Sequence, residues 1–217
     1  MHIEILVEDS SGKALLDYLV PKVLGAYGDP HTWRLHPYKG IGRIPQGLAT
    51  KADPEKRMLL DQLPKLLSGY RKTPGIDAVV VVLDTDERNC ATFLDELRVV
   101  ANHCRMAERT MFRLAIEEME AWYFGDRDAL LEAYPRAQKQ VLDTYTQDSV
   151  CGTWEKLADA ISPGGAAAIK KDGWAVAGKA KHDWARGIGP HMDVERNISP
   201  SFGKLRDGLR RLISEAG

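Results

Sequence analysis

The sequence predicts an α/β fold built on a parallel sheet, and three observations carry that prediction. Ala78-Val79-Val80-Val81-Val82-Leu83 is apolar on both faces, as a central strand covered by helices on each side must be. Segments of strand character alternate with segments of helical period, which calls for right-handed crossovers between parallel strands. Three of the strand segments stop at acidic residues, where an open parallel sheet places its ligands.

Ile3-Glu4-Ile5-Leu6-Val7 reads as the first strand, and Glu8-Asp9-Ser10-Ser11-Gly12 as a turn-and-cap cluster after it. Leu15, Leu16, Leu19, Val20, Val23 and Leu24 then recur at helical spacing, with Pro21 interrupting. A second strand is expected over 32–38, followed by a basic loop, Lys39-Gly40-Ile41-Gly42-Arg43. Met58, Leu59, Leu63, Leu66 and Leu67 give 54–70 a helical period despite Pro64. The strand over 78–83 stops at Asp84-Thr85-Asp86, and a helix is expected over 90–105. A fourth strand, 110–116, runs into Glu117-Glu118-Met119-Glu120-Ala121-Trp122. Beyond 126 no strand is expected, and 129–134, 153–161, 174–184 and 201–214 read as helical or loop-linked. The chain thus divides into an α/β core over 1–125 and a helical annex over 126–217 packed on it. In the last helix Phe202, Leu205, Leu209 and Leu212 share one face, and Ser199 or Pro200 marks its start.

With 217 residues, 44% of them hydrophobic and 28% charged, the chain has the balance of a globular protein with a sizeable core. No apolar run approaches the roughly 18–20 residues of a membrane span, and Met1-His2-Ile3-Glu4 does not resemble the start of a signal peptide. Cys90, Cys104 and Cys151 are odd in number and widely spaced, which fits reduced thiols in a cytoplasmic protein. A net charge of -1 offers little nonspecific grip on a polyanion.

The chemistry resides in the strand-end acids: Glu8, Asp84 with Asp86, and Glu118 with Glu120. Alternation along an extended chain would turn Asp84 and Asp86 to the same side, where both could reach one ion. Converging carboxylates repel and raise one another's pKa unless a cation intervenes. Mg²⁺ suits such a set, being hard and oxygen-seeking, and Mn²⁺ can replace it. Each acid also has a plainer reading as a helix cap, loop starter or solvated helix start.

The order of a strand ending in Glu8, a strand ending in Asp84-Thr85-Asp86, and a strand leading to Glu118-Met119-Glu120-Ala121-Trp122 resembles the Toprim fold. Topoisomerases, primases and overcoming-lysogenization-defect nucleases share that fold. Gly40-Ile41-Gly42-Arg43 and Ser199-Pro200-Ser201-Phe202 sharpen the resemblance to a family of small bacterial Toprim-like proteins of unknown function. The resemblance implies a metal held by Glu8, Asp84, Asp86, Glu118 and Glu120, with Glu8 as a ligand or general base. It implies Mg²⁺-dependent cleavage of DNA or RNA, and an ATPase partner of the kind found in antiviral ATPase–nuclease systems. One departure stands out: the family's first loop reads EGxTE, and its second acid is replaced here by Gly12.

Other residues are read more plainly. Lys39 and Arg43 flank glycines and can hold a phosphate or sit on a solvated turn. Lys179, Lys181 and Arg186, with Trp174 and Trp184 nearby, form either a single-strand-binding surface or a wet face beside core tryptophans. Trp122 and Tyr123 read as core. Two rivals to a nuclease remain open: a non-catalytic Toprim-like binding subunit, and a nucleotide-sugar transferase using its DxD to hold a metal diphosphate.

Overall fold

A computed structural model describes residues 1–48, 55 and 57–215. Four parallel strands form one sheet in the order β2-β1-β3-β4. They are β1 (His2–Val7), β2 (Thr32–Pro37), β3 (Ala78–Asp84) and β4 (Thr110–Ala115). The expected α/β class with an all-parallel sheet is therefore present.

Between strands run α1 (Ser10–Leu24), α2 (Leu59–Tyr70) and α3 (Cys90–His103). Every β3 residue from Ala78 to Leu83 is buried, which explains the unbroken apolar run. Alternation then divides the sheet. Val79, Val81 and Leu83 pack with the leucines of α2 and with Phe93 and Leu97 of α3. Val80 and Val82 face α1 and the C-terminal helices. Pro21 and Pro64 are both accommodated within their helices. Residues 49–54 and 56 lie outside the described part, and α2 begins at Leu59, not at the expected 54.

The remaining helices are α4 (Ala121–Gly125), α5 (Arg127–Ala133), α6 (Lys139–Asp143), α7 (Thr153–Ile161), α8 (Gly165–Lys171), α9 (Trp174–Ile188) and α10 (Pro200–Ser214). No strand occurs among them in the described residues. α9 and α10 both lie against α1, and α10 also lies along β4. Phe202, Leu205 and Leu209 are buried, while Leu212 is partly buried at the margin of the same core. The Ser199 hydroxyl caps α10 by accepting the Phe202 N–H at 3.2 Å. Among the described residues no helix is long and apolar enough to cross a membrane.

Candidate functional site

The carboxyl ends of β1 and β3 meet because Val7 pairs with Val82 across the sheet. Glu8 therefore emerges beside Asp84, and its Oε2 accepts the Asp84 backbone N–H at 3.2 Å. β4 brings the third acidic segment to the same edge, since Asp84 pairs with Ala115. Pairing continues past the strand ends. Thr85 N–H donates to Ala115 O at 3.0 Å, Asp86 N–H to Glu117 O at 2.9 Å, and Glu117 N–H to the Thr85 hydroxyl at 2.7 Å. These bonds fix the loop that carries Glu118 and Glu120.

Lys181 reaches into this edge from α9. Its Nζ lies 3.0 Å from Glu118 Oε1 and 3.4 Å from Glu120 Oε1. Glu118 is held further by the Trp154 N–H, 2.9 Å from its Oε2. A cavity of about 10 Å³ sits between Asp9, Gly12, Asp84, Glu120, Tyr123 and Lys181, about the room one water-sized particle needs. The Oδ1 of Asp84 is buried without a hydrogen-bond partner.

The electrostatics follow from that crowding. Burial pushes the Glu8 carboxyl up to about 7; the Asp84 N–H draws it down, and Asp86 and Asp9 add to the rise. Burial also holds Asp84 well above the usual carboxylate range, reinforced by Glu8 and Glu120 and opposed by Lys181. Glu118 is pushed up to about 7 by burial and by Glu120, against the pull of Lys181. Burial alone would lower the Lys181 ammonium, but Glu120, Glu118 and Asp84 together raise it. The ammonium is thus the counter-charge of the cluster.

Not every predicted ligand joins it. The expected side-by-side placement of Asp84 and Asp86 does not hold. The strand ends at Asp84, and Asp86 has a positive φ of 48°, so the period-2 alternation stops before it. Its carboxylate turns outward to Arg88, 2.9 Å away. Asp9 is the N-cap of α1, accepting the Gly12 N–H at 2.7 Å and the Ser11 hydroxyl at 2.8 Å. Gly12 is a packing requirement: a Cβ there would stand 2.7 Å from Met119 Sδ and 2.9 Å from Val7 Cγ1. Glu117 points away and anchors α7, accepting the N–H groups of Cys151, Gly152 and Thr153 and the Thr153 hydroxyl.

Oxygen donors beside an orphaned, buried Asp84 oxygen are the chemistry a hard divalent ion requires. As they stand, no three or more His, Cys, Asp or Glu side chains among the described residues are arranged to hold a metal ion.

Against known proteins, residues 7–210 match the family described as a domain of unknown function, DUF4276. The chain belongs to this family. No curated protein and no solved structure matches it. The DUF4276 match covers the whole acidic edge, the helices that close it and most of α10.

The basic candidates separate. Lys181, expected on a nucleic-acid-binding surface, is turned inward to the acids, whereas Lys179 is exposed and pairs with Asp183 at 3.3 Å. Lys39 and Arg43 are exposed on the loop after β2, which is tied to the site by the Gly40 N–H bond to Glu8 O at 3.0 Å. Trp184 is core, but Trp174 is 85% exposed. Trp122 and Tyr123 are buried as expected. The role of Lys181 had no local signal, because it depends on α9 packing across α1.

Proposed function

We propose that this chain is a Toprim-type nuclease, cleaving phosphodiesters of DNA or RNA with Mg²⁺ or Mn²⁺ in the cytoplasm. The observation that carries this reading is the buried, unpartnered Asp84 oxygen beside Glu8 and Glu120. Two carboxyls held up near about 7 mark a site poised for proton transfer or cation capture at neutral pH. A bound divalent ion would supply Lewis acidity at the phosphate oxygens. Glu8, Asp84 and Glu120 would hold that ion, and Glu8 is also suited to accept a proton from the attacking water. Lys181 would orient Glu118 and Glu120 through its contacts with both. The net charge of -1 gives weak intrinsic affinity for a polyanion, so an ATPase partner that supplies the nucleic-acid grip belongs to the proposal.

One observation favours a second reading, a non-catalytic binding subunit. Lys181 already balances the acids, and a permanent internal cation makes a metal unnecessary. The two readings part in one assay. Plasmid, single-stranded DNA and tRNA are incubated with the protein and Mn²⁺, alone and with a co-purified ATPase. Cleavage that Asp84→Asn abolishes supports the nuclease. Equal cleavage by wild type and Asp84→Asn overturns it, and an inert complex that still assembles selects the binding subunit.

A further inference from the structure

A second site lies along the open edge of the sheet, away from the carboxylates. α3, β4 and α10 enclose a groove of about 450 Å³, within the usual range for small-molecule pockets. Arg98, Arg113 and Arg211 line it, together with Asn102 and Thr110, and no acidic residue does.

The groove is built around Arg113. Its Nε donates to Lys204 O and its Nη1 to Phe112 O, each at 2.7 Å. Gly208 makes this possible, since a Cβ there would stand 2.7 Å from Arg113 Nε. The guanidinium is thereby fixed to backbone carbonyls and left without a carboxylate. Burial and the neighbouring Arg211 both push its pKa down, and both side chains line the same groove. Neither Arg113 nor Arg211 has an ion pair among the described residues. Arg98 pairs only with the exposed Asp95, at 2.9 Å, and such pairs exchange partners readily. The Thr110 hydroxyl, also on the lining, is buried without a partner. Like charges sharing one groove, next to an unused hydroxyl, are stabilised by a multiply charged oxyanion, and guanidinium groups match phosphate oxygens.

We propose that this groove binds a phosphate ester of nucleotide size through Arg113, Arg211 and Arg98. The phosphate can belong to a free nucleotide or to the 5′ end of a nucleic-acid strand.

The test is calorimetric titration of the full chain in EDTA, so that the carboxylate site contributes no metal-bridged binding. The probes are pyrophosphate, AMP, ATP, and a short oligonucleotide with and without a 5′-phosphate. Saturable, salt-sensitive binding is expected. Arg211→Glu, an exposed change that spares the fold, should weaken it by about tenfold or more. Arg113→Gln should do the same, and Asp84→Asn should leave it unchanged. Tighter binding of ATP than of the oligonucleotides names a free nucleotide; binding that requires the 5′-phosphate names a strand end. No saturable binding of any probe in the millimolar range overturns the proposal. So does binding that Arg211→Glu leaves intact, or that Asp84→Asn removes.

Discussion

Glu118 and Glu120 hold the Lys181 ammonium at 3.0 and 3.4 Å, and Asp84 draws on the same charge through space. Removing that cation leaves buried carboxylates uncompensated, which in other proteins costs about 3–5 kcal/mol. Lys181→Met should therefore destabilise the protein strongly by urea unfolding at about pH 8, above the Glu118 pKa of about 7. The deficit should shrink at about pH 5.5, because Glu118 can then protonate. An equal deficit at both pH values would show that Lys181 acts by packing its stem. Glu8 makes a related prediction. Its carboxyl rises from 4.5 to about 7 on folding, so the folded state binds more protons in that window. Its contribution is therefore stabilising at low pH and is lost as pH rises toward about 7. Glu117 has the opposite sign, since burial is outweighed by the Thr153 hydroxyl and three N–H donors, and its pKa falls. Its contribution is present above 4.5 and lost on acidification. Glu8→Gln should flatten the first limb of the stability–pH curve and leave the acid limb in place.

At the scale of elements, legibility follows the local signal. β3 was readable because a strand buried on both faces leaves an unbroken apolar run. α10 was readable because an apolar stripe, a Ser cap and Pro at the first turn coincide. Phe202→Ala, which empties a ring 1% exposed, should cost about 3–5 kcal/mol; a loss within error in chemical denaturation would make the helix peripheral. α4, α6 and α8 were not readable, having only five, five and seven residues, too few to show a period. The surroundings of Gly12 were hidden for a different reason. In the sequence it stands where an acid is expected, and only the fold shows that a side chain there must push aside Met119 and Val7 as α1 closes on them. Gly12→Ala should destabilise by about 1–3 kcal/mol through overpacking. Met119→Ala in the same chain should recover part of that loss, because the nearest clash is with its sulfur. Strict additivity of the two changes would show that the helix shifts away as a body.

For the molecule as a whole, the sheet sets where chemistry can occur. The parallel register brings Glu8, Asp84, Glu118 and Glu120 to one edge from distant parts of the sequence, as their places at strand ends lead one to expect. The inward turn of Lys181 is not legible in the sequence, because no local pattern encodes the packing of α9 on α1. The expected role of this edge, capture of a divalent ion, makes a prediction about global stability. An ion bound by Glu8 and Asp84 must displace the protons their raised pKa values retain. Binding to the folded state alone raises the unfolding temperature by mass action. Millimolar Mn²⁺ should therefore raise the melting temperature more at about pH 8 than at about pH 5.5, since protons compete below about 7. Asp84→Asn should remove the ion-dependent increment at both pH values and keep the fold, as the amide relieves repulsion at a partnerless oxygen. Lys181→Met should enlarge the increment, because the ion then replaces the lost ammonium. Differential scanning calorimetry of the three proteins with Mn²⁺ or with EDTA makes the comparison. An increment independent of pH, or one that survives in Asp84→Asn, would place the ion elsewhere on the molecule. No increment in wild type but a clear one in Lys181→Met would mean that the lysine has taken the ion's place for good.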